Sequence, residues 1–418
     1  MINESVKDLR VISFEWSLKY LFWVFVFMSS LSIFIAIHTG YYGGDLEGVD
    51  YKVDANQIVF FSFLYFITLF LIYFFSKFFG SKFGRLKSVF SLGLYSKVVF
   101  FLFLLILLLI TVISVFVHDV GTIHRGVTSP RVLDLIFAFF QPYYLILFFL
   151  YFIFFNLRTF GWNVVLYSSL IIYTILVIFS GFTGFLFYIL PFLIYFCYLF
   201  LGRNLTFFLL LISPILFPFI RIFKFYLIYG FDTFNFSDLG FDQLIMFTKV
   251  VVDRFSYLPN MIYINNELKS AVEIFSSIFH PLFQGYFGSF FHKLFLYEPV
   301  QNINMFLTEN IRNEFIESNS TFPLVSYLHV DFLHGFLVVF YAFLLVFVFI
   351  FFIQIGLSLN SYPLSFFVFL FFMTLTGGWF WNAINIIQSL IIFSSFIILI
   401  SLIFKPLNSR PSKKDCYA

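Results

Sequence analysis

Residues 98–117 run for twenty positions with nothing but Val, Phe, Leu, Ile, Thr and Ser. As a helix this stretch would rise about 30 Å, the thickness of the hydrocarbon core of a bilayer. It is apolar on every side, so it has no face to present to water. Residues 338–352 have the same character. Neither run alternates apolar with polar residues, which argues against barrel strands. A helix satisfies its own backbone groups in lipid, and an isolated strand does not. The chain therefore reads as a bundle of membrane-spanning helices. Only 11% of its 418 residues are charged, against about 25% in water-soluble domains, and Phe alone supplies 75 positions. A soluble enzyme is excluded. A net charge of +3 gives no field that would recruit nucleic acid. Cys197 and Cys416 make no disulfide framework. The first apolar run starts near Leu18, is long and has no clear small-residue cleavage site, so no secretory signal peptide is expected.

The expected fold is an all-α polytopic integral membrane protein with ten to twelve spans. Ten are read near 18–37, 56–76, 98–117, 132–155, 162–179, 184–201, 205–220, 332–353, 363–380 and 384–404. The seventh is short and contains Pro214 and Pro218, and the ninth approaches Gly377-Gly378. Lysine and arginine in short loops set the orientation. With the N-terminus inside, fourteen face the cytoplasm: Lys7, Arg10, Lys19, Lys77, Lys82, Arg85, Lys87, Lys97, Arg158, Arg203, Lys405, Arg410, Lys413 and Lys414. Only Lys52, Arg125 and Arg131 occupy the short outer loops. Both termini are then expected in the cytoplasm.

Four regions follow: a bundle of about seven spans over 1–220, a large outer loop over 221–331, about three spans over 332–404, and a basic cytoplasmic tail over 405–418. The loop carries 11 of the 21 acidic residues, yet it is rich in Phe, Ile and Leu and does not read as disordered. Within it Leu244, Phe247, Val251, Phe255 and Leu258 form a helical stripe. Residues 271–283 repeat the habit. Such helices are expected to lie flat at the outer surface and roof a cavity between the spans.

A roofed, charged compartment above apolar helices suits a substrate with a greasy anchor and an anionic head. Arginine is the residue for a diphosphate, because its planar fork donates two parallel charge-assisted hydrogen bonds. Arg221, Arg254, Arg125 and Arg131 are the candidates, although Arg221 at a span end also fits simple snorkelling and Arg254 beside Asp253 fits a surface pair. His329, Asp331 and His334 cluster where the eighth span begins. One of them could serve as a general base, while Asp331 also fits a plain complement to the helix N-terminus. His118, Asp119 and His124 lack the spacing of a metal site. Asp45, Glu47, Asp50 and Asp54 crowd the first outer loop, where solvation explains them equally well. Trp379-Phe-Trp-Asn could stack on a sugar or anchor at the interface.

In layout the chain resembles the Wzy-type O-antigen (oligosaccharide repeat unit) polymerases of bacterial inner membranes. It shares their extreme Phe and Ile content, ten or more spans and one large outer loop late in the chain. Locally, Val252-Asp-Arg-Phe-Ser-Tyr looks like the family's loop arginine, and His329-Val-Asp-Phe-Leu-His-Gly-Phe looks like the motif that enters the next span. Ser180-Gly-Phe-Thr-Gly-Phe-Leu sits where the family often has a short Gly-rich turn, with Phe182 where many relatives carry arginine. The resemblance implies a cofactor-free, metal-independent glycosyltransferase. Its substrate would be an undecaprenyl-diphosphate-linked oligosaccharide held at the periplasmic face. Arg254, Arg221 and Arg125 would bind the diphosphate, and His329 or Asp331 would activate the acceptor hydroxyl. A polysaccharide chain-length regulator would be a partner. The competing readings are a lipid-linked oligosaccharide flippase, an O-antigen ligase and a polyprenyl-phosphate-sugar glycosyltransferase. The flippase predicts evenly spaced spans, short loops and charges within the membrane.

Overall fold

A computed structural model describes residues 14–40, 42, 54–83, 94–120, 130–156, 163–180, 257–268, 323–330, 332–357, 374–377 and 379–404, with isolated positions 189, 192, 201, 202, 205, 208, 252, 307 and 371. Among the described residues every regular element is helical. They are α1 (Phe14–Thr39), α2 (Ala55–Phe83), α3 (Leu94–His118), α4 (Arg131–Phe140), α5 (Pro142–Asn156), α6 (Asn163–Ser180), α7 (Leu258–Tyr263, continued by a π turn over Ile264–Leu268), α8 (Leu324–Val330), α9 (Phe332–Leu357) and α10 (Phe380–Ile403). Among the described residues five stretches are long and apolar enough to cross a membrane: Phe22–Thr39, Ala55–Phe79, Val98–His118, Gly335–Ile353 and Phe380–Ile403. Pro142–Ile153 and Val164–Ser180 are shorter apolar helices. The spans expected at 184–201, 205–220 and 363–380 fall almost wholly outside the described residues.

Several hydroxyls on these helices turn onto their own backbones. Ser30 donates to the Val26 carbonyl at 2.8 Å, Thr111 to Leu107 at 2.7 Å and Thr174 to Leu170 at 2.8 Å. A hydroxyl held in this way is satisfied where lipid offers no partner.

Ring contacts fix the directions. Phe22 meets Tyr73 at 5.0 Å, so α1 and α2 form an antiparallel hairpin. Phe100 stacks on Phe152 at 4.8 Å and Phe103 meets Phe149 at 5.1 Å, so α5 runs opposite to α3. Phe396 of α10 joins the same cluster, 4.6 Å from Phe103. α5 is the axis of the bundle: every residue from Tyr143 to Ile153 is buried. Tyr341 stacks on Phe380, and further along Ser394 donates to the Phe352 carbonyl at 3.1 Å, so α9 and α10 run parallel. Two parallel spans in sequence require the chain to return between them. Phe371 stacks on Phe349 of α9 at 4.1 Å, and the rest of 358–373 lies outside the described residues.

The span expected over 132–155 is not one helix. α4 ends at Phe140, Gln141 adopts the left-handed conformation (φ 47, ψ 63) with its N–H on the Phe137 carbonyl, and α5 begins at Pro142. Proline drives its predecessor out of the helical region and cannot donate to the preceding turn. The break exposes the last carbonyls of α4 inside the bundle, and α10 answers them. Gln388 donates through Nε2 to the Phe139 carbonyl at 2.6 Å, and the Ser389 hydroxyl lies 3.5 Å from the Phe140 carbonyl.

Candidate functional site

One end of the bundle gathers α7, its π turn, α8, the start of α9 and the turn before α10. The segment that reaches it from the middle of the chain is described from Tyr257 onward. Tyr257 sits at φ 52, ψ 1, and Pro259 opens α7, all of whose residues from Leu258 to Ile262 are buried. Tyr257 meets Tyr65 of α2 edge-on at 6.1 Å. Further along, Asn266 and Gln57 exchange amide hydrogen bonds of 3.0 and 3.1 Å. The segment therefore climbs alongside α2, opposite in direction, over eight α2 residues or about 12 Å. Its π turn packs against α8.

α8 folds back on α9 at Gly335. A Cβ placed there would fall on the Tyr327 carbonyl and lie 2.5 Å from the Leu328 nitrogen, so only glycine permits the approach. Tyr327 in turn meets Phe380 edge-on at 6.2 Å, which ties α8 to the first turn of α10. Burial pushes the Tyr327 and Tyr257 phenols well above their ordinary range, with Tyr65 raising Tyr257 further. Both remain protonated at physiological pH and can offer hydrogen bonds but not a base.

The expected site residues divide by place. His329 lies in the last turn of α8 and His334 in the first turn of α9; Arg131 opens α4. The side chains of these three lie outside what is described. Asp331, between α8 and α9, is outside the described residues, as are Arg125, Arg221 and Arg254. Described on either side of Arg254 are Val252, helical and buried, and Tyr257. The expected amphipathic helix before α7 is described only at Val252 and Leu258. Both are buried in the protein, and the other stripe residues, Leu244, Phe247, Val251 and Phe255, lie outside the described residues. Residues 271–283 lie outside the described set, as do Phe182 and the acidic trio Asp45, Glu47 and Asp50. Asp54 acts locally: its carboxylate accepts the Asn56 N–H at 2.9 Å and its carbonyl the Ile58 N–H at 3.0 Å, at the start of α2. His118 closes α3, Asp119 follows at φ 50, and His124 lies outside the described residues. Ser180, at the head of the expected Gly-rich turn, ends α6 and donates to the Val177 carbonyl at 2.8 Å. Trp379 precedes α10 with its backbone N–H on the Thr374 carbonyl at 2.9 Å, while Trp381 and Asn382 belong to the first turn of α10.

Three features escaped the sequence reading. Gly335 was quoted within a motif but not recognised as a contact point; its signal is a glycine inside an otherwise bulky apolar helix. The start of α7 at a left-handed Tyr257 has its nearest signal in Pro259 two residues on. The polar face of α10, with Asn385, Gln388 and Ser389 buried at 3%, 2% and 0% exposure, was lost within a strongly apolar run. These three amides and hydroxyls are spaced i, i+3 and i+4, so they share one face.

The chain matches no protein-family profile, no curated protein and no solved structure.

Proposed function

We propose that the chain polymerises lipid-linked oligosaccharide repeat units at the outer face of a bacterial inner membrane. In this reaction the acceptor hydroxyl of an incoming repeat unit gives its proton to His329 or Asp331. Its oxygen bonds to the anomeric carbon of the growing glycan as the bond from that carbon to the diphosphate breaks. Polyprenyl diphosphate leaves, and Arg254, Arg221 and Arg125 hold its negative charge. Fixed cationic donors at a site shielded from water stabilise such charge most strongly.

One observation carries the reading. The loop segment that follows Arg254 folds down onto α2 and α8, and α8 carries His329. That meeting of distant parts of the chain at one end of an apolar bundle supports the reading, since it suits a substrate with an anchor in lipid and a head outside it; Arg254 itself lies outside the described residues.

A strain lacking the gene tests the reading. On a lipopolysaccharide gel the ladder should collapse to core bearing a single repeat unit, and a plasmid copy should restore it. An Arg254→Ala copy, inserted in the membrane at normal level, should restore the ladder poorly. Complete loss of repeat units from the core would favour flippase or ligase, and a normal ladder from Arg254→Ala would remove that arginine from the site.

A further inference from the structure

The break between α4 and α5 lies well inside the bundle. Gln388, which bonds the Phe139 carbonyl there, is eight residues or about 12 Å along α10 from Phe380. α3 gives the same depth: Phe149 and Phe152 of α5 meet Phe103 and Phe100, so Pro142 lies level with the middle of α3, not with its end. Backbone that departs from the helix at this depth occurs where it is buried in protein or lines a polar cavity, and discontinuous spans are common substrate sites.

Two of the three polar residues on this face of α10 are engaged by the break. The third is not. Asn385 lies one turn nearer the end that carries α8, is 3% exposed, and its Oδ1 accepts no hydrogen bond among the described residues. A buried acceptor left empty costs about 1–3 kcal/mol. α10 contains no ionisable side chain, and α4 carries Arg131 at its first residue and Asp134 three residues on. The empty acceptor at Asn385 is a neutral amide oxygen, which takes a hydrogen-bond donor and not a phosphate.

We propose that α4 and the first half of α10 flank a polar cleft that takes a neutral hydroxyl group, donated to Asn385 Oδ1 above the break at Gln141. The donor is either water or a sugar hydroxyl of the glycan substrate. The second source rests on the polymerase reading, and the cleft itself does not.

Thiol labelling of the full-length protein in lipid nanodiscs tests it. With Cys197 and Cys416 replaced by serine, cysteines are placed singly as Asn385→Cys, Ser389→Cys and Leu390→Cys. Ser389→Cys changes one atom and guards against a folding defect in Asn385→Cys. Leu390, fully buried on the same helix, is the control. A charged methanethiosulfonate reagent should modify Asn385→Cys or Ser389→Cys about tenfold faster than Leu390→Cys, because a thiol sealed in apolar packing is inert. Equal and negligible labelling at all three, with full labelling after denaturation, overturns the cleft. Adding the oligosaccharide released by mild acid from the host's lipid carrier separates the sources: slowed labelling assigns the hydroxyl to the glycan, and unchanged labelling assigns it to water. A failed cleft leaves the gel ladder of the deletion strain untouched, so the two readings fail separately.

Discussion

Gly335 shows how one missing side chain shapes this site. The backbone of α8 crosses α9 so closely there that even a methyl group would meet peptide atoms at Tyr327 and Leu328, which cannot rotate away. The Gly335→Ala protein is therefore expected to lose about 1–3 kcal/mol of stability, the usual cost of overpacking. A thermal unfolding scan in detergent should show a clear drop in midpoint, while Ala342→Gly, at a buried position lower on the same helix, should lower it through helix propensity and lost packing without moving α8. A readout confined to α8, such as protease cleavage near its start, should change in Gly335→Ala alone. The sequence made His329, Asp331 and His334 conspicuous because they are titratable residues in apolar surroundings. It made Gly335 inconspicuous because the need for glycine comes from a neighbouring element and not from its own φ. Chemistry is written in residue type, and close approach is written only in three dimensions.

At the scale of the element, the broken span is the instructive case. Composition gave residues 132–155 the look of one crossing, since hydropathy averages over the break. The pair Gln141-Pro142 was the local signal, and its consequence is a left-handed residue in the middle of the bundle. What the sequence could not show is the partner that makes the break tolerable, because α10 lies about 250 residues away along the chain, as the separation of 249 between Gln388 and Phe139 records. Gln388→Leu keeps the volume close but leaves the part-buried Phe139 carbonyl without its donor. An unmet buried carbonyl costs about 1–3 kcal/mol, so the variant should unfold at lower temperature than the parent. Gln388→Met, equally unable to donate, should fall by a similar amount. If both variants unfold with the parent, the α4 carbonyls are satisfied some other way and α10 is not their clamp. Of the region read as a long outer loop, Leu258–Tyr263 is a buried helix packed against α2, so its apolar content signalled packing, while the partner helix lies about 190 residues earlier in the chain and is invisible to a local reading.

For the whole molecule, membrane character follows from composition, and five long apolar helices agree with it. Order in the chain gives spans, but direction needs contacts. α9 and α10 are parallel, held by the Tyr341–Phe380 stack near their starts and by the Ser394–Phe352 hydrogen bond further along. Since both are long enough to cross, an odd number of crossings must lie between them. An antiparallel pair would need only a short loop, so the parallel arrangement makes a sharp statement about sidedness. Reporter fusions read it directly. Alkaline phosphatase and green fluorescent protein fused after residue 331 and after residue 378 should report one side of the membrane, and fusions after residue 358 and after residue 404 should report the other. With the lysine and arginine distribution of the short loops, the phosphatase-active pair should be 331 and 378. If the fusions at 358 and 378 report the same side, no crossing separates α9 from α10. The contacts that make the two helices parallel would then describe a packing that a membrane cannot accommodate. If 358 is cytoplasmic and 378 is outside, α8, Trp379 and the start of α10 share the outer end, which the polymerase reading requires of its site.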